Sequence, residues 1–278
     1  MRLVSFLADG RPMAGALIDG VVAPLAEGTG AMRGLLEMPP SHLAERAERA
    51  AAIPLRQVRL QPPVPCPGKI ICIGLNYARH AAEGGNPIPD YPALFLRAAS
   101  SLIGPDEPML RPRVSERLDW EAELAVVIGR RARHVREEEA LAHVAGYACF
   151  NDGSVRDYQR RSSQWGAGKN FDATGAFGPW IVTADALPPG AAGLSIRALL
   201  NGEVMQDGDT SDMIFPVARL VSLLSEVMTL EPGDVIATGT PAGVGYARTP
   251  PRFLAPGDVI EVEIEGIGRL RNPIAAEP

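Results

Sequence analysis

Short apolar runs separated by Gly, Pro and Asp dominate the chain from Lys69 onward. Such runs fit β-strands, which are typically three to ten residues long and rich in β-branched residues. Helical patterns are fewer, and the two clear ones are R-E-E-E-A-L-A-H-V and F-P-V-A-R-L-V-S-L-L-S-E. The pattern therefore predicts a mixed α/β protein rich in strands. The predicted strands are K-I-I-C-I-G, E-L-A-V-V-I-G, A-G-Y-A-C-F-N, G-P-W-I-V-T, S-I-R-A-L-L-N-G-E, D-V-I-A-T-G and D-V-I-E-V-E-I-E-G-I-G.

The N-terminal part of the chain has a pattern of its own. R-L-V-S-F-L and G-A-L-I-D-G-V-V-A-P-L are strand candidates, interrupted by Asp-Gly turns. S-H-L-A-E-R-A-E-R-A-A-A has a helix-forming composition, with Ser41 as the candidate N-cap. The Pro-rich stretch Q-P-P-V-P-C-P-G that follows cannot continue a regular element. We therefore expect a small N-terminal domain over residues 1–62 and a main domain over residues 69–278.

Composition and charge narrow the class of protein. The chain has 27 basic and 33 acidic residues, a net charge of −6, so nothing indicates a nucleic acid or an anionic membrane as partner. No apolar run approaches the roughly 18 residues that a membrane helix needs, and the N-terminus does not resemble a signal peptide. The three cysteines are odd in number and lack metal-type clustering, which favours a reduced, cytoplasmic protein.

Acidic residues stand directly before one of the most apolar runs, in L-D-W-E-A-E-L-A-V-V-I-G. Glu121 and Glu123 are two residues apart, so a strand would present both on one face, where two carboxylates repel unless a cation or a proton intervenes. A solvated strand face is the commoner reason for such a pair. Asp152, at the end of the next strand, is a candidate third ligand, although N-D-G is also a plain turn. Asp119 shares the face and is interpreted as a solvated strand end.

Three further positions are candidates for chemistry. His80 and Glu83 lie one helical turn apart, which suits either a general base with its carboxylate partner or an ordinary exposed ion pair. The Gly- and Pro-rich segment after them suits a mobile lid. Lys169, in Q-W-G-A-G-K-N-F-D, is either solvated or able to reach a ligand oxygen. Thr240 lies in I-A-T-G-T-P-A-G-V-G, which lacks the P-loop spacing but could donate to an anionic substrate.

The order and spacing of seven motifs resemble the fumarylacetoacetate hydrolase (FAH) superfamily. The resemblance runs from about residue 69 to the C-terminus. The motifs are G-L-N-Y-A-R-H-A-A-E, S-S-L-I-G-P, D-W-E-A-E-L-A-V-V-I-G, N-D-G-S-V-R-D-Y-Q, G-K-N-F-D with G-P-W-I-V-T, N-G-E-V-M-Q with T-S-D-M-I-F, and P-G-D-V-I-A-T-G-T-P-A-G-V-G.

This resemblance implies a fold, a cofactor and a set of site residues. The fold is the FAH-type β-sandwich roll with a small N-terminal domain, usually as a homodimer. The cofactor is a divalent ion, commonly Mg²⁺ or Mn²⁺, with Ca²⁺ as a further option for oxygen ligands. The implied roles are metal ligation by Glu121, Glu123 and Asp152, water activation by His80 with Glu83, oxyanion stabilisation by Lys169, and substrate contact by Arg156, Gln159 and Thr240.

The implied activity is hydrolysis of a C–C bond in an acylpyruvate or related β-diketo or 2-oxo acid, a small anionic substrate. The alternatives are a decarboxylase or tautomerase of a 2-oxo dicarboxylate, a sugar-acid or ureidoglycolate-type enzyme, and, least favoured, a non-catalytic binding protein. Two departures from the family pattern leave the substrate open. Arg97 stands where many relatives have Lys, and Gly175-Ala176-Phe177-Gly178 replaces a Cys-Pro or similar pair.

Overall fold

A computed structural model describes residues 1–278 of the chain, and strands are its main component. The α-helices are α1 (Ala31–Leu36), α2 (Pro40–Arg49), α3 (Ala78–Glu83), α4 (Glu137–Ala140), α5 (Arg156–Gln159), α6 (Gly166–Lys169) and α7 (Val217–Val227). The strands are β1 (Arg2–Ala8), β2 (Arg11–Ile18), β3 (Val21–Glu27), β4 (Ile53–Pro54), β5 (Arg59–Leu60), β6 (Ile70–Gly74), β7 (Ala93–Arg97), β8 (Leu102–Ile103), β9 (Met109–Arg111), β10 (Leu118–Asp119), β11 (Ala122–Ile128), β12 (Val144–Asp152), β13 (Ser154–Val155), β14 (Gly175–Thr183), β15 (Ser195–Leu200), β16 (Glu203–Asp209), β17 (Val235–Ala237), β18 (Val259–Ile264) and β19 (Gly268–Ala276).

Two large sheets form the body of the molecule. The larger has twelve strands, in the order β4-β3-β2-β1-β14-β12-β11-β17-β6-β7, with β5 pairing β1 and β8 pairing β14. The smaller has the order β16-β15-β18-β19-β9. A cluster of 40 buried hydrophobic residues, drawn from both sheets and from α7, fills the space between them. The mixed, strand-rich fold class expected from the sequence is confirmed.

Each apolar run expected as a strand contains one, but S-I-R-A-L-L-N-G-E and D-V-I-E-V-E-I-E-G-I-G each extend over a turn into the next strand. One helix start also differs. Both P-G-D-V-I turns place their glycine at positive φ, +87° for Gly233 and +97° for Gly257, as the type II turn requires. The prediction of Ser41 as the N-cap is wrong. Helix α2 begins at Pro40 with Pro39 as N-cap, and no side chain caps it. Proline suits the first helical position because its missing N–H has no partner there anyway.

The N-terminal unit extends the large sheet. Its strand β1 pairs with β14 in antiparallel register, Leu3 opposite Ile181. A second core cluster of 21 residues combines side chains of β1–β3, α1 and α2 with side chains of β6, β11 and β12. Residues 61–68 form neither helix nor strand. The domain division at this segment stays a prediction, since the two units share one sheet and one core.

None of the helices is both long enough and apolar enough to cross a bilayer.

Candidate active site

Three carboxylates meet where β11 and β12 lie side by side. These strands are antiparallel with Ala122 opposite Asn151, and the backbone N–H of Asp152 donates to the carbonyl of Glu121 at 3.0 Å. Glu121 precedes β11, Glu123 lies on it, and Asp152 ends β12. One oxygen from each of the three carboxylates lies within 4.8 Å of the others, and all three residues are buried. The structure thus brings together the predicted triad, with Leu124 turned into the core.

Three buried cations surround the triad. Lys169 Nζ lies 2.7 Å from Glu121 Oε2 and 2.6 Å from Asp152 Oδ2. Arg156 Nη1 lies 2.7 Å from Glu121 Oε1, and Arg97 Nη1 lies 2.6 Å from Asp152 Oδ1. Glu123 forms no ion pair, and its Oε2 accepts a hydrogen bond from the Gly239 N–H at 2.8 Å. Counting the buried Asp119 described below, four carboxylates face three cations, which leaves one negative charge.

The two glutamates differ in their affinity for protons. Burial alone raises the pKa of Glu121, but the Lys169 ammonium and the Arg156 guanidinium outweigh it and lower the pKa of this carboxyl. Burial also raises the pKa of Glu123, and there the neighbouring Asp152 and Glu121 carboxylates raise it further. A buried carboxylate without a cation of its own tends to hold a proton or to bind a metal ion.

The donor set fits a hard divalent cation. All three groups are carboxylates, the ligands that Mg²⁺, Mn²⁺ and Ca²⁺ prefer, and no Cys or His stands among them. A divalent ion would replace the proton that Glu123 otherwise attracts. With all four carboxylates ionised, the ion would change the charge of the cluster from −1 to +1, which suits an anionic ligand.

The predicted pair on α3 is formed. His80 Nδ1 lies 2.7 Å from Glu83 Oε1, and Glu83 Oε2 accepts a second hydrogen bond from the Gly243 N–H at 3.0 Å. His80 is buried, with 7% of its surface exposed. Since Nδ1 is engaged by the carboxylate, Nε2 is the ring nitrogen that remains available to a ligand.

A cavity of about 500 Å³ connects these groups. Glu83 and Asp152 do not line it, so Glu83 acts through His80 and Asp152 lies behind the other two carboxylates. Most other predicted site residues do line it. The lining includes His80, Glu121, Glu123, Arg156, Gln159, Lys169 and Thr240, together with Asn86, Phe95, Arg160, Ser162, Trp165 and Tyr246.

Two of the predicted substrate contacts are already held by protein groups. Gln159 Oε1 accepts from Arg156 Nη1 at 3.0 Å, which leaves the amide NH₂ of Gln159 for other partners. Thr240 Oγ1 donates to the Ala122 carbonyl and accepts from the Gln206 side chain, both at 2.8 Å. Donation from Thr240 to a substrate anion would require its hydroxyl to leave that carbonyl, and this role stays a prediction.

Asp119 corrects one sequence-based interpretation. It is not a solvated strand end, because its exposed fraction is 0%. Its carboxylate accepts from Arg156 Nε at 2.8 Å, from Gly245 N–H at 2.7 Å and from Tyr246 N–H at 3.0 Å. Asp119 therefore fixes the guanidinium that contacts Glu121, although no local pattern marks it, since its partners come from distant parts of the chain.

Arg160 and Tyr246 are further cavity residues that sequence reasoning missed. The guanidinium carbons of Arg156 and Arg160 each lie 4.5 Å from the centroid of the Tyr246 ring. Arg160 forms no ion pair or side-chain hydrogen bond, whereas Arg156 retains one buried nitrogen, Nη2, without a partner. The spacing of four residues between the two arginines was the available signal, because it places both on one side of a helical turn.

Arg97 lies on the far side of the triad from the cavity. Its departure from the family pattern was expected to affect the pocket, but the side chain is buried behind Asp152 and does not line the cavity. Arg97 therefore contacts a candidate metal ligand and is not itself part of the cavity wall.

Comparison with known proteins places this site in a family. The family described as fumarylacetoacetate (FAA) hydrolase C-terminal matches residues 69–275. The chain belongs to the fumarylacetoacetate hydrolase family. It is therefore an enzyme-family member, and the fold expected from the resemblance agrees with the solved structures of the family.

Individual relatives carry several reaction names. Oxaloacetate tautomerase fahd2, mitochondrial, of Xenopus laevis is 43% identical over 219 residues, covering 78% of this chain and 68% of the relative. Maleylpyruvate hydrolase from Sphingobium sp. SYK-6, solved with manganese(II) and pyruvate, has a TM-score of 0.83 and 33% identity with full coverage of both chains. 5-carboxymethyl-2-hydroxymuconate delta-isomerase from Mycobacterium smegmatis has a TM-score of 0.82 and 35% identity, again with full coverage. The family membership thus leaves open whether hydrolysis or isomerisation is the reaction.

Proposed function

We propose that this protein is a divalent-metal-dependent tautomerase that interconverts the keto and enol forms of a 2-oxo dicarboxylate of the oxaloacetate type. The observation that carries the proposal is the position of His80, held by Glu83, on the same cavity as Glu121 and Glu123. A base beside a site for a divalent cation is the arrangement needed to move a proton at the carbon next to a ketone. The tautomerase relatives at 41–43% identity support this reaction.

The ion, held by Glu121, Glu123 and Asp152, would supply positive charge that stabilises the enolate; Mg²⁺ or Mn²⁺ is proposed, with Ca²⁺ as the alternative. His80 Nε2 accepts the proton from the carbon next to the ketone, and Glu83 stabilises the resulting imidazolium. The enolate oxygen then takes a proton from solvent to give the enol, and His80 Nε2 releases its proton to solvent, which restores the neutral imidazole. The reverse sequence restores the keto form. Lys169 forms ion pairs with Glu121 and Asp152, and its ammonium lowers the pKa of Glu121.

The second candidate is the hydrolysis of an acylpyruvate, the activity first expected from the sequence. The same His80 would remove a proton from water, which attacks the distal carbonyl, and cleavage of the C–C bond would release a carboxylic acid and pyruvate. The structural similarity to a maleylpyruvate hydrolase solved with manganese(II) and pyruvate favours this candidate.

A substrate panel separates the two reactions. The protein is incubated with the enol of oxaloacetate or with acetylpyruvate, with Mg²⁺, with Mn²⁺ and with chelator. Ultraviolet absorbance follows the enol, and proton NMR follows the products. Metal-dependent loss of the enol without release of pyruvate supports the tautomerase. Release of acetate and pyruvate from acetylpyruvate supports the hydrolase, and no metal-dependent change with either compound contradicts both.

Arg160 provides a test of the dicarboxylate. Its guanidinium lines the cavity beside Tyr246 without an acidic partner, so it is suited to the second carboxylate of the substrate. We expect Arg160→Gln to raise KM for oxaloacetate by about tenfold, the effect of losing one partly exposed charge-assisted hydrogen bond, and to leave kcat nearly unchanged.

The matched control for this change is Arg161→Gln. Arg161 is exposed, stacks on Tyr158 and does not line the cavity. Its replacement should leave KM unchanged. A KM for oxaloacetate that is equal in Arg160→Gln and the wild type would contradict the assignment of the second carboxylate to Arg160.

A homodimer and a cytoplasmic location are proposed on the sequence alone. Sedimentation equilibrium measures the oligomeric state, and fractionation of the source cells measures the location.

A further inference from the structure

Arg97 holds the back of the triad through all three of its guanidinium nitrogens. Nη1 donates to Asp152 Oδ1 at 2.6 Å and to the Gly153 carbonyl at 3.0 Å. Nη2 donates to Thr174 Oγ1 at 3.0 Å, and Nε donates to Ser101 Oγ at 3.2 Å. The side chain has no solvent exposure. A planar group held at each of its nitrogens has a single orientation available.

Gly175 leaves the space in which this guanidinium lies. It stands directly opposite Asp152 in the pairing of β12 and β14. A Cβ at this position would come within 2.7 Å of Arg97 Nη2 and 2.9 Å of Arg97 Nε, closer than real Cβ contacts. Gly175 is not among the glycines at positive φ, so its backbone would accept any residue. The need for glycine at 175 therefore comes from the guanidinium of Arg97.

The orientation of Asp152 follows from these contacts. Arg97 takes Oδ1, and Oδ2 contacts Lys169, whose ammonium also contacts Glu121. Arg97 does not line the cavity, so it acts on a ligand only through Asp152.

We infer that Arg97 and Gly175 form one functional pair, in which Arg97 is the positioning residue that presents a single oxygen of Asp152 to the ion and Gly175 makes room for it. The inference rests on the divalent ion assigned to the triad and does not depend on which reaction follows. Partners of metal-ligating groups typically change metal affinity by about 10–100-fold when they are replaced.

A double-mutant cycle with Mn²⁺ affinity as the readout tests the pair. The wild type, Gly175→Ala, Arg97→Lys and the double variant are titrated with Mn²⁺ by calorimetry, without substrate, and the melting temperature is measured with chelator. Gly175→Ala should weaken Mn²⁺ binding by about 10–100-fold. Arg97→Lys should weaken it less, because the lysine still reaches Asp152. The double variant should bind about as well as Arg97→Lys, because lysine has no guanidinium for the added methyl group to displace.

The outcomes separate the pairing from the ion assignment. Wild-type protein that fails to bind Mn²⁺ overturns the ion assignment itself. If the wild type binds Mn²⁺, two results overturn the pairing alone. One is that the losses of Mn²⁺ affinity in the two single variants add in the double variant, and the other is that Gly175→Ala binds Mn²⁺ as the wild type does. If Gly175→Ala does not fold, folding and Mn²⁺ binding by the double variant support the pairing, and failure of the double variant to fold overturns it.

Discussion

Glu123→Gln is expected to abolish Mn²⁺ binding and turnover while making the metal-free protein more stable at neutral pH. Glutamine keeps the size of the side chain but supplies no negative charge for the ion. In the metal-free protein the same loss of charge is favourable, because Glu123 is buried beside Asp152 and Glu121 without an ion pair.

The pH dependence of stability shows whether the buried charge of Glu123 is what destabilises the metal-free protein. The pKa of Glu123 is raised in the folded protein above its ordinary value of 4.5, first by burial and then by the two neighbouring carboxylates. The folded state therefore holds a proton that the unfolded state has released. The contribution of Glu123 to stability therefore falls as the pH rises from about 4.5 through the raised pKa, and Glu123→Gln removes this contribution.

The measurement is calorimetric unfolding with chelator between pH 5 and pH 8, together with a Mn²⁺ titration at pH 7. The stability difference between Glu123→Gln and the wild type should increase with pH. Glu203→Gln is the control, since Glu203 is an exposed carboxylate without an ion pair. Wild-type Mn²⁺ affinity in Glu123→Gln, or a stability difference that does not change with pH, would contradict the role given to this residue.

His80→Gln is expected to lower kcat by about 10²–10⁴-fold, the usual contribution of a general base, with Mn²⁺ affinity unchanged. His80 is the only group on the cavity wall that joins a free imidazole nitrogen to a carboxylate partner, Glu83. It lies outside the carboxylate triad, so metal binding should not depend on it.

Steady-state kinetics and Mn²⁺ calorimetry measure the two quantities separately. His143→Gln is the matched control, because His143 is half-buried and does not line the cavity. The substitution also bears on the reaction. Tautomerisation and hydrolysis both need the base, whereas decarboxylation of a 2-oxo dicarboxylate needs only stabilisation of the enolate. If His80→Gln decarboxylates a 2-oxo dicarboxylate at the wild-type rate, the proposed tautomerase function is contradicted and a decarboxylase is favoured.

Local periodicity predicted the parts of the site that lie close together in sequence. The two-residue period of a strand placed Glu121 and Glu123 on one face, and the three-residue spacing on a helix joined His80 to Glu83. Asp152 required the family motif as well, because its approach to Glu121 depends on the register of β11 with β12.

Long-range packing determined what the sequence could not reveal. The sequence alone indicates a solvated Asp119, because its partners Arg156 and Gly245 come from later segments of the chain. The dependence of Gly175 on Arg97 is a contact between distant positions of the sequence and leaves no local signal. The fold class was predictable because alternating apolar runs identify strands, whereas strand order and the sharing of one sheet by the N-terminal unit were not.

The two hydrogen bonds of Glu83, one with His80 and one with the Gly243 N–H, respond differently to a movement of α3. His80 and Glu83 belong to one helical turn, whereas Gly243 lies in the segment that follows β17. If α3 moves away, the bond from Gly243 to Glu83 breaks and the bond between His80 and Glu83 does not. Glu83 would thus keep the imidazole of His80 oriented through any movement of α3, and the Gly243 N–H is the hydrogen-bond donor that such a movement would release.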